Sequence, residues 1–302
     1  MIEHRIQTGD GPMFYSALVA LDLSPAEEPV LDCLPDLMNW GVRKLTLTHV
    51  IKVGYNEFAD LGHKEHYRQW LDKSATALRE KGFEVDIAVR SSGVIADEIL
   101  ATADDLSADL IIIGSRAQSR VRGIFLGSVV REVIRTATRP VLLQWVEPDA
   151  DTTRERCEAV CKNSLSHILL ATDLSPQARA AEDAAINLAP AAKQLDLLTI
   201  LTGDALAATP AWPTMVTAAL EDIRSRLPDQ SVQATILTKK ENSDRSNAQM
   251  ISQVAADRDC TLIIVGKHGQ GWLKSKIIGS TAASLCEIAR RPVLMVPTRN
   301  QE

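Results

Sequence analysis

Short, almost uninterrupted apolar runs recur along the chain, separated by longer stretches in which apolar residues return every three or four positions. ALVAL at 17–21, LTLTHV at 45–50, VDIAV at 85–89, LIIIG at 110–114 and VLLQWV at 141–146 are runs of the first kind. A strand that is apolar on both faces is buried on both faces, as in a parallel sheet covered by helices. Among the stretches of the second kind, Val130, Val133, Ile134 and Ala137 fall at i, i+3, i+4 and i+7, the stripe of a helix lying on a core. Strand and helix thus alternate, which predicts right-handed crossovers and a doubly wound sheet.

The pattern then repeats. VALDLSP at 19–25 returns as LLATDLSP at 169–176, LIIIGS at 110–115 as LIIVGK at 262–267, FLGSVVREVI at 125–134 as IIGSTAASLC at 277–286, and RPVLLQWV at 139–146 as RPVLMVP at 291–297. The offset is 151 from Asp22 to Asp173 and 152 from Gly114 to Gly266, Gly127 to Gly279 and Pro140 to Pro292. A period this long means duplicated domains and not a solenoid. The predicted division is a first domain over 14–146, a linker over 147–164 and a second domain over 165–298. The polar linker carries a predicted short helix from Thr153 to Lys162, with Cys157 and Cys161 on one face. Ser24-Pro25 and Ser175-Pro176 read as an N-cap followed by a proline at the first helical position. The two final strands, each an apolar edge if left alone, are expected to pair antiparallel and make an internal pseudo-dimer.

Composition narrows the function. The 302 residues suit two domains. A net charge of −6 argues against non-specific nucleic-acid binding, which needs a basic face. No apolar run approaches the roughly 20 residues of a membrane span, and the first residues lack the apolar core of a signal peptide, so a cytoplasmic location is expected. The five cysteines show no disulfide or zinc spacing, and Cys33, Cys260 and Cys286 are expected to pack as small hydrophobes. His63 and His66 could share a helix face but have no further ligand in view, so no metal site is expected. His49, ending an apolar strand, reads as a packed, hydrogen-bonded histidine.

In a doubly wound sheet, ligands bind beyond the carboxyl ends of the strands. There the second half carries Gly266-Lys267-His268-Gly269, nine residues, then Gly279-Ser280-Thr281. Glycines let the backbone take positive φ and approach a ligand, and the N–H groups of the loop and the helix start make an anion site. Hydroxyls at Ser280 and Thr281 and charges at Lys267, Lys274 and Lys276 suit a triphosphate, with His268 in reach of it. The plainer reading is that glycines end a strand and cap a helix. Neither the Walker loop nor the GxGxxG fingerprint is present, and no general base is poised by spacing, so no catalytic residue is assigned.

The first-strand Asp, the G-x-x-G-nine-G-[ST] loop and the RPVL strand together resemble the universal stress proteins, in their tandem form with two copies in one chain. The resemblance implies two Rossmann-like five-stranded parallel sheets paired through their last strands. It also implies ATP as ligand, with Mg2+ as a companion ion. In the second domain Asp173 and the Ile200 backbone would then flank the adenine. Gly266, Lys267, His268, Gly269, Gly279, Ser280 and Thr281 would take the ribose and phosphates. The matching positions of the first domain are Asp22, Val50, Gly114, Arg116, Ala117, Gly127, Ser128 and Val129. Alanine at 117, where the second loop glycine belongs, makes the first domain the weaker expected site. Both aspartates also have a structural reading, as carboxylates that hold the turn after a strand. The resulting function is nucleotide-dependent regulation in a stress response, with an adenine nucleotide as partner and a further homodimer open. A slow ATPase and an interaction module without nucleotide are the alternatives.

Overall fold

A computed structural model describes residues 12–24, 27–53, 61–115, 126–148, 157–159, 163–201, 211–227, 233–240, 244–269 and 278–298. The first copy runs β1 (Ser16–Ala20), α1 (Glu27–Cys33), a 3-10 segment (Leu34–Trp40), β2 (Lys44–Lys52), α2 (Leu61–Glu80), β3 (Glu84–Ser92), α3 (Ile95–Asp105), β4 (Leu110–Gly114), α4 (Ser128–Thr136) and β5 (Val141–Gln144). A two-stranded ribbon follows, β6 (Val146–Pro148) with β7 (Cys157–Ala159). The second copy runs β8 (His167–Ala171), α5 (Arg179–Leu188), a 3-10 turn (Ala189–Ala191), β9 (Gln194–Leu201), α6 (Trp212–Ser225), β10 (Gln233–Lys240), α7 (Asn247–Asp257), β11 (Leu262–Gly266), α8 (Ser280–Ile288) and β12 (Val293–Val296).

All ten long strands join one sheet in the order β10-β9-β8-β11-β12-β5-β4-β1-β2-β3. Pairing is parallel within each copy and antiparallel where the copies meet, with Val293 opposite Leu143, Leu294 opposite Leu142 and Met295 opposite Val141. The expected pseudo-dimer through the last strands is thus one continuous mixed sheet. Two apolar layers cover its faces and both run through both copies. One includes Val19, Leu142, Ile168 and Leu294, and the other Leu18, Leu143, Leu169 and Met295. The stripe of α4 is buried, with Val133 fully inside, so Ile134→Ala would cost about 2–5 kcal/mol. The matching stripes, Ala181, Ala184, Ala185 and Leu188 on α5 and Ala282, Leu285, Cys286 and Ala289 on and after α8, are buried as well.

Three local expectations are corrected. The linker helix is absent at 157–159: that segment is a strand, with Ala159 opposite Val146 and Cys157 opposite Pro148. Pairing with β6 and packing against α1 outweigh the helical spacing of its sequence. The helices α1 and α5 begin at Glu27 and Arg179, later than Ser24-Pro25 and Ser175-Pro176 imply, and the Ser175 hydroxyl accepts the Ala178 N–H at 3.3 Å in the turn before α5. Cys33 is buried but disulfide-bonded, whereas Cys260 and Cys286 are the free buried thiols expected.

Candidate functional site

In each copy the first strand lies between the second and the fourth, so the chain leaves it to one side and returns on the other. In the first copy a cavity opens at that switch, beyond the ends of β1 and β4, and the matching place in the second copy lies beyond β8 and β11. Both aspartates sit there with the same turn. Asp22 Oδ1 accepts the Ser24 N–H at 3.1 Å, and Asp173 Oδ1 accepts the Ser175 N–H at 3.0 Å. The intervening Leu23 and Leu174 hold φ of 56° and 60°. A side chain in the left-handed region costs about 1–2 kcal/mol, and such strain gathers at functional sites. Val50 and Ile200 occupy equivalent places, each two residues beyond the partner of the last residue of its first strand.

In the second copy one oxygen of Asp173 holds its turn and the other reaches the glycine loop. A Cβ on Gly269 would lie 2.4 Å from Asp173 Oδ2. Gly266 is similarly pressed, its Cβ position 3.1 Å from the His268 carbonyl and 3.4 Å from Ala178 Cα. The glycines at positive φ among the described residues are Gly41 and Gly82, so close approach, and not handedness, demands glycine in this loop. The Gly279 N–H donates to the Lys267 carbonyl at 2.9 Å and closes the loop's base. Gly127 and Gly279 are the N-cap residues of α4 and α8, and neither helix start has a side-chain cap. Their first-turn N–H groups thus receive no bond from the N-cap side chain, with Ser128 and Ser280 exposed and Thr281 half-buried beside them.

Lys267 departs from its expected role. Its ammonium is buried and donates to the Ala137 carbonyl of the first copy at 2.6 Å, past the end of α4. Burial, then the nearby Arg135, lowers its pKa to about 8. The apolar interface and an unused helix-end carbonyl capture the side chain, which the sequence alone could not reveal. The corresponding Ser115 keeps within its own copy, accepting the Val146 N–H at 3.0 Å. His268 Nδ1 lies 3.4 Å from Thr298 Oγ1, at the end of the last strand. Arg116, Ala117, Lys274 and Lys276 lie outside the described residues.

The first copy's crevice is a cavity of about 600 Å3 lined by Asp22, His49, Val50, Gly114, Val129 and the unforeseen Glu27 and Tyr67. Glu27 is 8% exposed, and burial, then Asp22 and Glu28, push its pKa up to about 8. His49 Nδ1 is 2.9 Å from the Leu21 carbonyl, and its ring stacks on Tyr67 at 4.3 Å. Its pKa is lowered by burial, against the opposing effects of that carbonyl and Asp22. Tyr67 and Glu27 carried no local signal, since both occur in charged helical sequence.

Fold and crevice together define a duplicated parallel α/β domain with a cavity beyond the strand ends of its first copy. The family model of the universal stress proteins matches residues 13–143 and again 165–297, and the chain belongs to that family in tandem form. It is 20% identical to a universal stress protein of Mycobacterium tuberculosis over 92% of this chain and 95% of that protein. To one of Bacillus subtilis it is 28% identical, over 43% of this chain and 99% of the relative. To one of Methanocaldococcus jannaschii it is 35% identical over 26% of this chain, spanning about half (48%) of that relative. The crystal structure of a universal stress protein from Archaeoglobus fulgidus superposes with a TM-score of 0.68 at 21% identity, covering 95% of this chain and 97% of that one.

Proposed function

We propose that the protein is an ATP-binding regulator of a stress response, located in the cytoplasm, with the second copy as its better site. The observation that carries this reading is the cradle at Gly269, where a residue without a side chain meets the Asp173 carboxylate beside the uncapped start of α8. A carboxylate there accepts from an exocyclic amine, and bare N–H groups with the Ser280 and Thr281 hydroxyls donate to phosphates. Asp173, the Ile200 backbone, Gly266, Gly269, Gly279, Ser280 and Thr281 would hold the nucleotide. Magnesium would accompany its phosphates. No helix among the described residues is long and apolar enough to cross a membrane.

Denaturing freshly purified protein and identifying released nucleotide by chromatography and mass spectrometry tests the reading. Bound ATP supports it. ADP alone would replace it with a slow ATPase. Absence of nucleotide, with no thermal stabilisation on adding ATP, would leave an interaction module.

A further inference from the structure

We propose that the second copy also holds a transition-metal site of the zinc class, formed by His167, Asp196 and Cys260. It lies at the amino ends of β8, β9 and β11, opposite the glycine loop, so it is independent of the nucleotide reading. His167 Nε2 is 2.8 Å from Asp196 Oδ2, and Cys260 Sγ is 4.0 Å from the same oxygen. All three donor atoms lie within 4.8 Å of one another. Tetrahedral zinc, with bonds of about 2.0–2.3 Å, holds its ligand atoms roughly 3.3–3.7 Å apart. The present spacing brackets that range, and the His–Asp contact opens by about half an ångström on binding. Imidazole, carboxylate and thiolate are the donors zinc prefers.

The frame is rigid. The three residues are 7%, 1% and 0% exposed. The His167 N–H donates to Thr261 Oγ1 at 2.9 Å, and the Thr261 N–H returns to the His167 carbonyl at 2.8 Å. An Arg291 N–H donates to the Cys260 carbonyl at 2.7 Å. One group is removable: the Arg258 side chain, 37% exposed, reaches in from the end of α7 and makes two bonds to Asp196, one of them 3.0 Å. Arg258 supplies the positive charge a buried carboxylate needs. A divalent ion supplies it instead when Arg258 turns out to water and the Cys260 S–H bond gives way to a metal–sulfur bond, its proton passing to solvent. Two anionic ligands and a neutral imidazole then leave the site uncharged, with a water as fourth ligand.

The sister copy shows that the fold does not need these residues. Strand register and repeat offset place Ser16, Thr46, Leu106 and Ala108 at the positions of His167, Asp196, Arg258 and Cys260. All three donors therefore occur together in one copy and none of them in the other. No local spacing announced them, because they come from three segments far apart in sequence.

Cobalt(II) titration of the chelator-treated full chain, with the Cys33 disulfide kept, tests the site. The expected result is a thiolate-to-cobalt absorption band with tetrahedral d–d bands at one equivalent, abolished by zinc. Cys260→Ala, which installs the residue the sister copy carries and so should keep the fold by circular dichroism, is expected to abolish the band. His167→Ala should weaken it. Arg258→Gln, which removes the competing cation, should tighten binding roughly tenfold, a difference of about 1.4 kcal/mol. No band in the wild type, or a band that persists in Cys260→Ala, would overturn the site. An unchanged affinity in Arg258→Gln would overturn the role given to Arg258.

Discussion

Gly269 and Asp173 come from opposite ends of the second copy and meet at a separation that excludes a methyl group. Gly269→Ala should therefore push the carboxylate or the loop out of place and weaken ATP binding by about tenfold or more, read by calorimetric titration. Ala117→Gly should strengthen the first copy's site. A tight site that survives Gly269→Ala would end the asymmetry argument. The sequence displayed this glycine plainly but not its reason, which is a contact and not a dihedral. Glu27 was illegible altogether, because an acidic helix start normally faces water. Its folded-state pKa near 8 exceeds the ordinary 4.5, so the folded protein binds more protons than the unfolded chain between those values. Stability is then full below about 4.5 and falls as pH rises towards 8, by up to about 5 kcal/mol. Urea titrations across that window should show Glu27→Gln losing this dependence, and an unchanged slope would refute the assignment.

At the scale of elements, the repeat shares its helix endings as well as its motifs. After α3 the Ala108 N–H donates to the Ala103 carbonyl, and after α7 the Cys260 N–H donates to the Ala255 carbonyl, both at 2.9 Å. Each ending places a non-glycine residue in the left-handed region, Ser107 at φ 50° and Asp259 at φ 52°. Glycine is the usual residue there. Ser107 is exposed, so Ser107→Gly should raise stability by about 0.5–1 kcal/mol, the relief of strain less the added chain entropy. A fall in the denaturation midpoint would contradict this. The strands and buried helices were readable because their apolar period reports burial directly. The β6–β7 ribbon was not, because its pairing depends on register with a distant partner. Arg139 and Arg291, read only as part of a repeated strand motif, each donate to the carbonyl of Ala108 or Cys260, at 2.8 and 2.7 Å. They tie the entry of the last strand to that of the fourth.

For the whole molecule, the join between copies carries the one buried cation described above. The Lys267 pKa of about 8 lies below the ordinary 10.5, so the unfolded chain binds more protons between those values. Stability should rise with pH across that window by up to about 3 kcal/mol, opposite in sign to Glu27 and in a higher range. Lys267→Met should flatten the rise, and a chemical denaturation series from pH 7.5 to about 10.5 reads it. Duplication and antiparallel joining were legible because an apolar last strand needs a neighbour. The path of Lys267 across the join was not, since it depends on where the other copy's α4 ends.

The antiparallel join has a consequence for the chain's integrity. Backbone pairing of β5 with β12, two shared apolar layers and the Arg131–Glu287 ion pair all cross the boundary without using the connecting peptide. A protease nick between 149 and 156 would leave two fragments that still migrate as one particle. Each fragment, freed by denaturant together with a reductant that opens the Cys33 disulfide, would expose VLLQ or VLMV as a bare edge and seek its mate on renaturation. The polypeptide bond between the copies sets their stoichiometry and their proximity during folding; the particle, once formed, does not need it.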